Sequence, residues 1–190
     1  MGTKGQNNRA RIIEAADQLF HKRGYNQTSF SDIADITGIP RGNFYYYFKT
    51  KDDILAAVVD ARVEQYREAL TNCENISDDP RQRLHAFIDI IASNEASLLD
   101  AGCPIGSLCA ELAKDTDALR SKSREVFELL REWLGQQFAD LGFSDGDDKA
   151  MDMLARMQGV AMMACTFKDD SYLKKSITQL RTWVNSLTLN

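Results

Sequence analysis

Apolar residues recur along this 190-residue chain at helical spacing, and no convincing run alternates in the manner of a strand. Ile12, Ile13, Ala16, Leu19 and Phe20 form a first stripe, closed by His21, Lys22, Arg23 and Gly24. Cations in a last turn offset the helix dipole, and a glycine after them is a stop signal. A short second helix starts at Thr28 or Ser29, either of which can cap it, and runs to about Thr37 with Phe30, Ile33 and Ala34 inward. Gly38 breaks it. The next helix is predicted from Arg41 to about Phe48, with Pro40 suited to its first turn. Thr50 then caps a longer helix that carries Asp52 and Asp53 in its first turn. Leu84, Phe87, Ile88 and Ile91 mark a helix beginning after Asp79-Pro80 and ending near Gly102, and a short one follows Cys103-Pro104. Val126, Leu130, Trp133 and Leu134 mark another, ending near Gly142. After the polar stretch Ser144-Asp145-Gly146-Asp147-Asp148 come a methionine-rich helix to about Phe167 and a last helix from about Asp170. The expectation is an all-α chain of about nine helices with no internal repeat.

Composition narrows the class. With 44% hydrophobic and 27% charged residues, the chain has the makings of a folded core, and three prolines with eleven glycines exclude collagen-like and low-complexity sequences. No apolar stretch approaches the ~18 residues of a membrane span, and no apolar segment follows the polar start, so a cytoplasmic protein with no membrane partner is expected. Cys73, Cys103, Cys109 and Cys165 lack the paired spacing of a structural zinc site, and neither metal nor cofactor is expected. Only His21 and His85 are present, and the sequence holds no HExxH, P-loop, dinucleotide-binding glycine pattern or GxSxG, which argues against an enzyme.

Charge changes the picture more. The net charge of −5 suggests a poor partner for an anionic polymer, but it is unevenly spread. Residues 1–51 hold eight basic and four acidic side chains, a net +4, while the remainder carries −9. A basic head on an acidic body is the asymmetry expected when one part meets nucleic acid.

The segment from Thr28 to Lys49 carries the most specific signal: two short helices joined by a glycine-containing turn, the helix-turn-helix arrangement. Ala34 permits a close helix crossing, and Gly38 supplies the positive φ of the turn. Ile33, Ile39, Phe44 and Phe48 make an apolar underside, leaving Arg41, Asn43, Tyr45, Tyr46 and Tyr47 to face outward. Phenol hydroxyls there can reach phosphate oxygens, while Arg41 and Asn43 approach base edges; alternatively one of the tyrosines, Tyr46 above all, packs inward. Lys51, opening the next helix, can clamp a phosphate together with the backbone N–H groups beside it, as can Thr28 or Ser29.

Residues from about Arg9 to Val59 resemble the N-terminal domain of the TetR family of bacterial transcriptional repressors. The resemblance rests on Leu19-Phe20-His21-Lys22-Arg23-Gly24-Tyr25, on Thr28 through Gly38, on Arg41-Gly42-Asn43-Phe44-Tyr45-Tyr46-Tyr47-Phe48 and on Lys51-Asp52-Asp53-Ile54-Leu55. It implies a helix-turn-helix DNA-binding domain over residues 1–51 and a C-terminal helical ligand-binding and dimerisation domain over 52–190. It implies a homodimer on a palindromic operator in double-stranded DNA, with contacts from Thr28, Arg41, Gly42, Asn43, Tyr45, Tyr46, Tyr47 and Lys51. Half-sites one helical turn apart, ~34–36 Å, follow for a single dimer. The last two helices would pair across the two-fold axis. Leu173, Ile177, Leu180, Val184 and Leu187 step by four and three along the final helix, the narrow seam of lengthwise helix packing, either in that dimer or inside one chain.

Two triggers for release from DNA are open. Small-molecule inducers are implied by the family, and Phe87, Ile91, Leu108, Leu112, Phe127, Trp133, Met153, Met157 and Met162 are candidates to line such a site or simply to fill the core. The stretch from Gly102 to Leu112 also resembles the N-ethylmaleimide-responsive repressors of the same family, which makes Cys103 and Cys109 candidate redox or electrophile sensors. Cys103 precedes Pro104 at a helix start, where the dipole stabilises a thiolate. A Cys103–Cys109 disulfide is not expected, because six helical residues rise ~9 Å against a Cα limit of ~7 Å.

Overall fold

A computed structural model describes residues 3–189; the side chains of Thr3, Lys4, Arg41 and Ile91 lie outside the described part. All regular structure among the described residues is helical: α1 (Thr3–Arg23), α2 (Phe30–Thr37), α3 (Arg41–Phe44), α4 (Lys51–Ile76), α5 (Pro80–Ala92), α6 (Glu95–Ala101), α7 (Pro104–Leu112), α8 (Asp117–Asp140), α9 (Gly146–Phe167) and α10 (Asp170–Ser186). The all-α expectation holds. Two helices differ from their predicted extent. The one expected from Pro80 to Gly102 breaks after Ala92, because the side chains of Ser93 and Asn94 both donate to the Ile90 carbonyl, at 2.8 and 2.7 Å, and compete with the next helical bond. The one expected from Arg41 to Phe48 stops at Phe44. Tyr46 and Tyr47 then bond back by three residues, to the carbonyls of Asn43 and Phe44, which tightens the turn and directs both Phe44 and Phe48 into the core.

The chain divides into two compact units. The first comprises Met1–Glu64 and Pro104–Val126, the second Gln65–Cys103 and Phe127–Asn190. This division by packing differs from a boundary at residues 51 and 52. The first half of α4 and all of α7 join the N-terminal helices, with Ile105, Leu108 and Leu112 buried and α7 packed on α1.

In the first unit the core is Ile12, Ala16, Leu19, Phe20, Ile33, Phe44, Phe48 and Leu55. Beside it the buried Arg62 pairs with the partly exposed Asp17: Arg62 Nε donates to Asp17 at 2.6 Å and its Nη1 to the Pro104 carbonyl at 2.8 Å, joining α4 to α1 and α7.

In the second unit α10 packs on α5 and α9, and α6 on α9. The seam on α10 faces this packing. Leu173, Ile177, Leu180 and Val184 are buried within the single chain and Leu187 is half-buried, so of the two packings open to this seam the one inside the chain is what the structure displays. The physical reason is that an apolar seam on one helix satisfies any apolar neighbour, and α5 and α9 supply one within the same chain.

Candidate nucleic-acid interface

The helix-turn-helix is built by local capping. Ser29, rather than Thr28, caps α2: its hydroxyl accepts from the Asp32 amide while the Asp32 carboxylate accepts from the Ser29 amide at 2.8 Å. The Ser29 hydroxyl also donates to Asp32 and, with that backbone bond, holds its carboxyl below the usual range. At the other end Gly38 takes φ 65°, a left-handed conformation that lets its amide bond back to Ala34 at 2.8 Å and turns the chain sharply into α3. Thr37 secures the turn, its hydroxyl donating to Ile33 and accepting from the Ile39 amide. Thr50 and Asp53 form the corresponding box at the start of α4, and the backbone N–H of Thr50 is the main reason the Asp53 carboxyl is lowered.

Above this frame Gly42, Asn43, Tyr45 and Tyr46 are exposed. Tyr45 is 58% and Tyr46 78% accessible, so the inward alternative for Tyr46 does not hold. Tyr45 stacks on Phe30 with centroids 6.1 Å apart and 17° between the planes, which fixes its ring while leaving the hydroxyl outward. Tyr47 is half-buried and its hydroxyl accepts from Asn8 Nδ2 at 3.3 Å. Ile33, Ile39, Phe44 and Phe48 form the buried underside as expected. The Arg41 side chain lies outside the described residues.

Two candidates are turned inward. Thr28 is 2% exposed and its hydroxyl donates to the Gly24 carbonyl at 2.7 Å. Lys51 donates to the carbonyls of Tyr25 and Thr28, at 2.9 and 3.1 Å, and its ammonium lies 4.1 Å from the Tyr25 ring centroid. A sequence that places both residues at helix starts says nothing about the loop between α1 and α2, which takes up their polar groups first. Both residues shape that loop from within.

The loop is also held by residues that sequence reasoning missed. Glu111 of α7 accepts from the amides of Tyr25 and Asn26 at 2.8 and 2.7 Å, one carboxylate oxygen to each, across 86 and 85 positions of chain. The Tyr25 hydroxyl donates to Asp52, and burial together with that bond keeps the phenol protonated far above its usual range. No local pattern announces Glu111. The Ser29-x-x-Asp32 spacing, by contrast, is a legible capping signal.

The candidate sensor residues are dispersed. Leu108 and Leu112 are buried in the first unit, while Phe87, Trp133, Met153 and Met157 are buried in the second. Phe87 and Trp133 meet at 5.7 Å between ring centroids. Phe127 is half-buried, Met162 is 57% exposed, and the Ile91 side chain lies outside the described residues. Exposure removes Met162 from any buried lining: α9 turns it to the face opposite Met153 and Met157. All four cysteines are thiols. The Cys103 sulfur accepts from Gln158 Nε2 at 3.4 Å, and Cys109 donates to the Ser123 carbonyl at 3.0 Å. No helix of the described residues is long and apolar enough to cross a membrane, and among them no three His, Cys, Asp or Glu side chains are grouped to hold a metal.

Comparison with known proteins adds identity to this geometry. The family model "Bacterial regulatory proteins, tetR family" matches residues 12–58, and "Transcriptional regulator LmrA/YxaF-like, C-terminal domain" matches residues 80–179, more than half of the chain. The chain belongs to the TetR family. It is therefore a helix-turn-helix transcriptional regulator and not an enzyme. An uncharacterized HTH-type transcriptional regulator in the lacX 3' region of Lactococcus lactis subsp. lactis is 29% identical over 182 residues, covering 93% of each chain. A TetR transcriptional regulator from Chloroflexus aurantiacus J-10-FL superposes with a TM-score of 0.84 at 28% identity, over 97% of this chain and 98% of that one. The C-terminal match to the LmrA/YxaF-like domain corrects the expected likeness to the N-ethylmaleimide-responsive subgroup. NemR of E. coli in its reduced form has a TM-score of 0.79 at 18% identity, over 93% of this chain and 96% of that one, which is a likeness of fold alone.

Proposed function

We propose that this TetR-family regulator is a cytoplasmic repressor that binds a palindromic operator as a homodimer and leaves it when a small molecule occupies the apolar interior of the second unit. The observation that carries the DNA-binding part is the exposed Tyr45-Tyr46 pair, set on a rigid, capped helix-turn-helix within a basic head. Asn43 and Gly42 beside them leave room for close approach of a groove edge, and the tyrosine hydroxyls suit phosphate oxygens.

Burial of the α10 seam moves the proposed dimer contact to the outward face of α9. Met151, Ala155, Gly159, Met162 and Thr166 recur by four and three residues along it, and a Cβ at Gly159 would meet open space. Met151 and Met162 are exposed large hydrophobics on this line, which a second copy would cover. For the inducer, the buried Phe87, Trp133, Met153 and Met157 supply aromatic and thioether surface that re-packs around an apolar guest. With the C-terminal part matching the LmrA/YxaF-like domain, the likeness that suggested thiol chemistry at Cys103 or Cys109 no longer supports it.

Selection of duplexes from a random pool by the full-length protein tests the reading. The recovered sequences should be palindromic, binding should weaken steeply as salt rises, and Tyr45→Ala with Tyr46→Ala should cost about tenfold or more in affinity with the fold intact. Recovery of no preferred duplex would falsify the assignment of operator binding to this surface. Ala155→Glu with Met162→Lys should give monomers in sedimentation experiments, and a persisting dimer would move the interface elsewhere.

A further inference from the structure

Asn8, Arg9 and Arg11 precede the segment that the TetR family model matches, yet each engages the helix-turn-helix. Asn8 Nδ2 donates to the Tyr47 hydroxyl at 3.3 Å. The Arg9 guanidinium lies 5.1 Å from the Phe48 ring centroid, and Arg11 Nη2 donates to the Thr37 carbonyl at 2.5 Å. The early turns of α1 therefore rest on the end of α2 and on the turn that follows α3.

The Asn8 contact has a definite sense. A phenol hydroxyl has one proton to give and lone pairs with which to accept. The Asn8 amide occupies the accepting side, and among the described residues no acceptor takes the Tyr47 proton. A hydroxyl that receives a hydrogen bond becomes a better donor, and one fixed as a donor suits a partner that can only accept. A DNA phosphate oxygen is such a partner, and the exposed Arg9 adds a positive charge beside the same corner. Resting on the operator-binding reading above, we propose that Asn8 is a positioning residue: it orients Tyr47 and sets its hydroxyl to donate to a phosphate, so that the first turns of α1 belong to the DNA-binding apparatus.

A double-mutant cycle on the full-length protein tests this, using the palindromic duplex that the wild type itself selects. Asn8→Ala and Tyr47→Phe should each weaken binding about fivefold, the scale of one hydrogen bond, while the double variant should be no weaker than Tyr47→Phe alone. Asn8→Asp can only accept, so it takes the Tyr47 proton for itself. It should bind less well than Asn8→Ala when Tyr47 is present, and the extra loss should shrink in the Tyr47→Phe background, where only charge repulsion remains. Helix content and thermal midpoint, measured in parallel, separate a frayed α1 from a lost contact, and Tyr47→Phe keeps the packed ring in either case. Wild-type affinity in Asn8→Ala, or additive losses in the cycle, overturns the role of Asn8 while operator binding stands. A loss confined to duplexes with one particular base overturns the phosphate assignment. If the wild type selects no duplex at all, the operator-binding reading falls and the role of Asn8 with it.

Discussion

The two units use their long-range side-chain-to-backbone contacts on mostly different targets. In the first, most go to loops and turns around the helix-turn-helix: Glu111 holds Tyr25 and Asn26, Lys51 holds Tyr25 and Thr28, and Arg11 holds Thr37. In the second, backbone is held at helix ends: Arg81 donates to the carbonyls of Val184 and Leu187 at the end of α10, and Lys168 donates to those of Leu99 and Asp100 near the end of α6, while side chains pair between helices, Trp133 Nε1 with Glu74 at 2.8 Å and Arg181 with Asp89. The buried interior of the second unit is hydrocarbon, aromatic rings and thioethers, with Gln137 and Ser176 its fully buried polar side chains among the described residues. A surface that must match a stiff array of phosphates gains from loops already fixed before binding, since ordering them on the DNA would cost affinity. The guest proposed for the second unit would be served by non-directional packing that re-forms around it.

This contrast can be broken most sharply at Gly146. A Cβ there would lie 2.7 Å from the Gly135 carbonyl oxygen and 3.2 Å from the Ala139 amide, so α8 and α9 would have to separate. Gly146→Ala should destabilise the chain by about 3 kcal/mol in denaturant titrations, through overpacking of the second unit. The molecules that remain folded should bind DNA as the wild type does.

Asp17→Ala tests the polar side of the comparison. It leaves the buried Arg62 guanidinium without its counter-charge. The expected loss is about 2 kcal/mol, less than for a fully buried pair because Asp17 itself is partly exposed and water can replace it. An undiminished stability would mean that Arg62 is satisfied without the ion pair.

Glu111→Ala should cost about 1.5 kcal/mol by freeing two amides, and its signature should be local. Hydrogen exchange at Tyr25 and Asn26 should accelerate, and operator affinity should fall with it. Unchanged exchange would show that α7 does not hold the loop.

The smallest effect is expected at Ser29. Removing the cap with Ser29→Ala should cost about 1 kcal/mol at neutral pH. The Asp32 carboxyl is held below its usual pKa, so its stabilising contribution is complete above the ordinary carboxylate range and is lost as pH falls through the lowered value. Ser29→Ala should therefore flatten the acid limb of the stability profile, and Asp53 should behave likewise through Thr50. An acid limb identical to that of the wild type would remove Ser29 as the cause.

Much of the first unit was legible because its signals are local. Gly38, the Thr50 cap and the buried set Ile33, Ile39, Phe44 and Phe48 depend on neighbours within a few residues, and each stands where its spacing put it. The inward turn of Thr28 and Lys51 was not legible, because it depends on a loop whose carbonyls compete for both groups. The α10 seam stayed ambiguous for a related reason: Leu173 to Val184 record that one face of the helix is covered without recording by what.

Periodicity, capping residues and charge distribution were enough to determine that the chain is all-helical, where its reading helices begin, and that a basic head precedes an acidic body. These properties follow from short-range backbone geometry and from counting charges. The tertiary structure decided which of several equivalent surfaces each helix buries. It brought Glu111 to Tyr25, Asn8 to Tyr47 and Arg62 to Asp17, and it spent the α10 seam inside one chain while leaving the α9 line of Met151 and Met162 outside. Partners distant in sequence are chosen by packing, and a single helix carries no information about which neighbour will cover it.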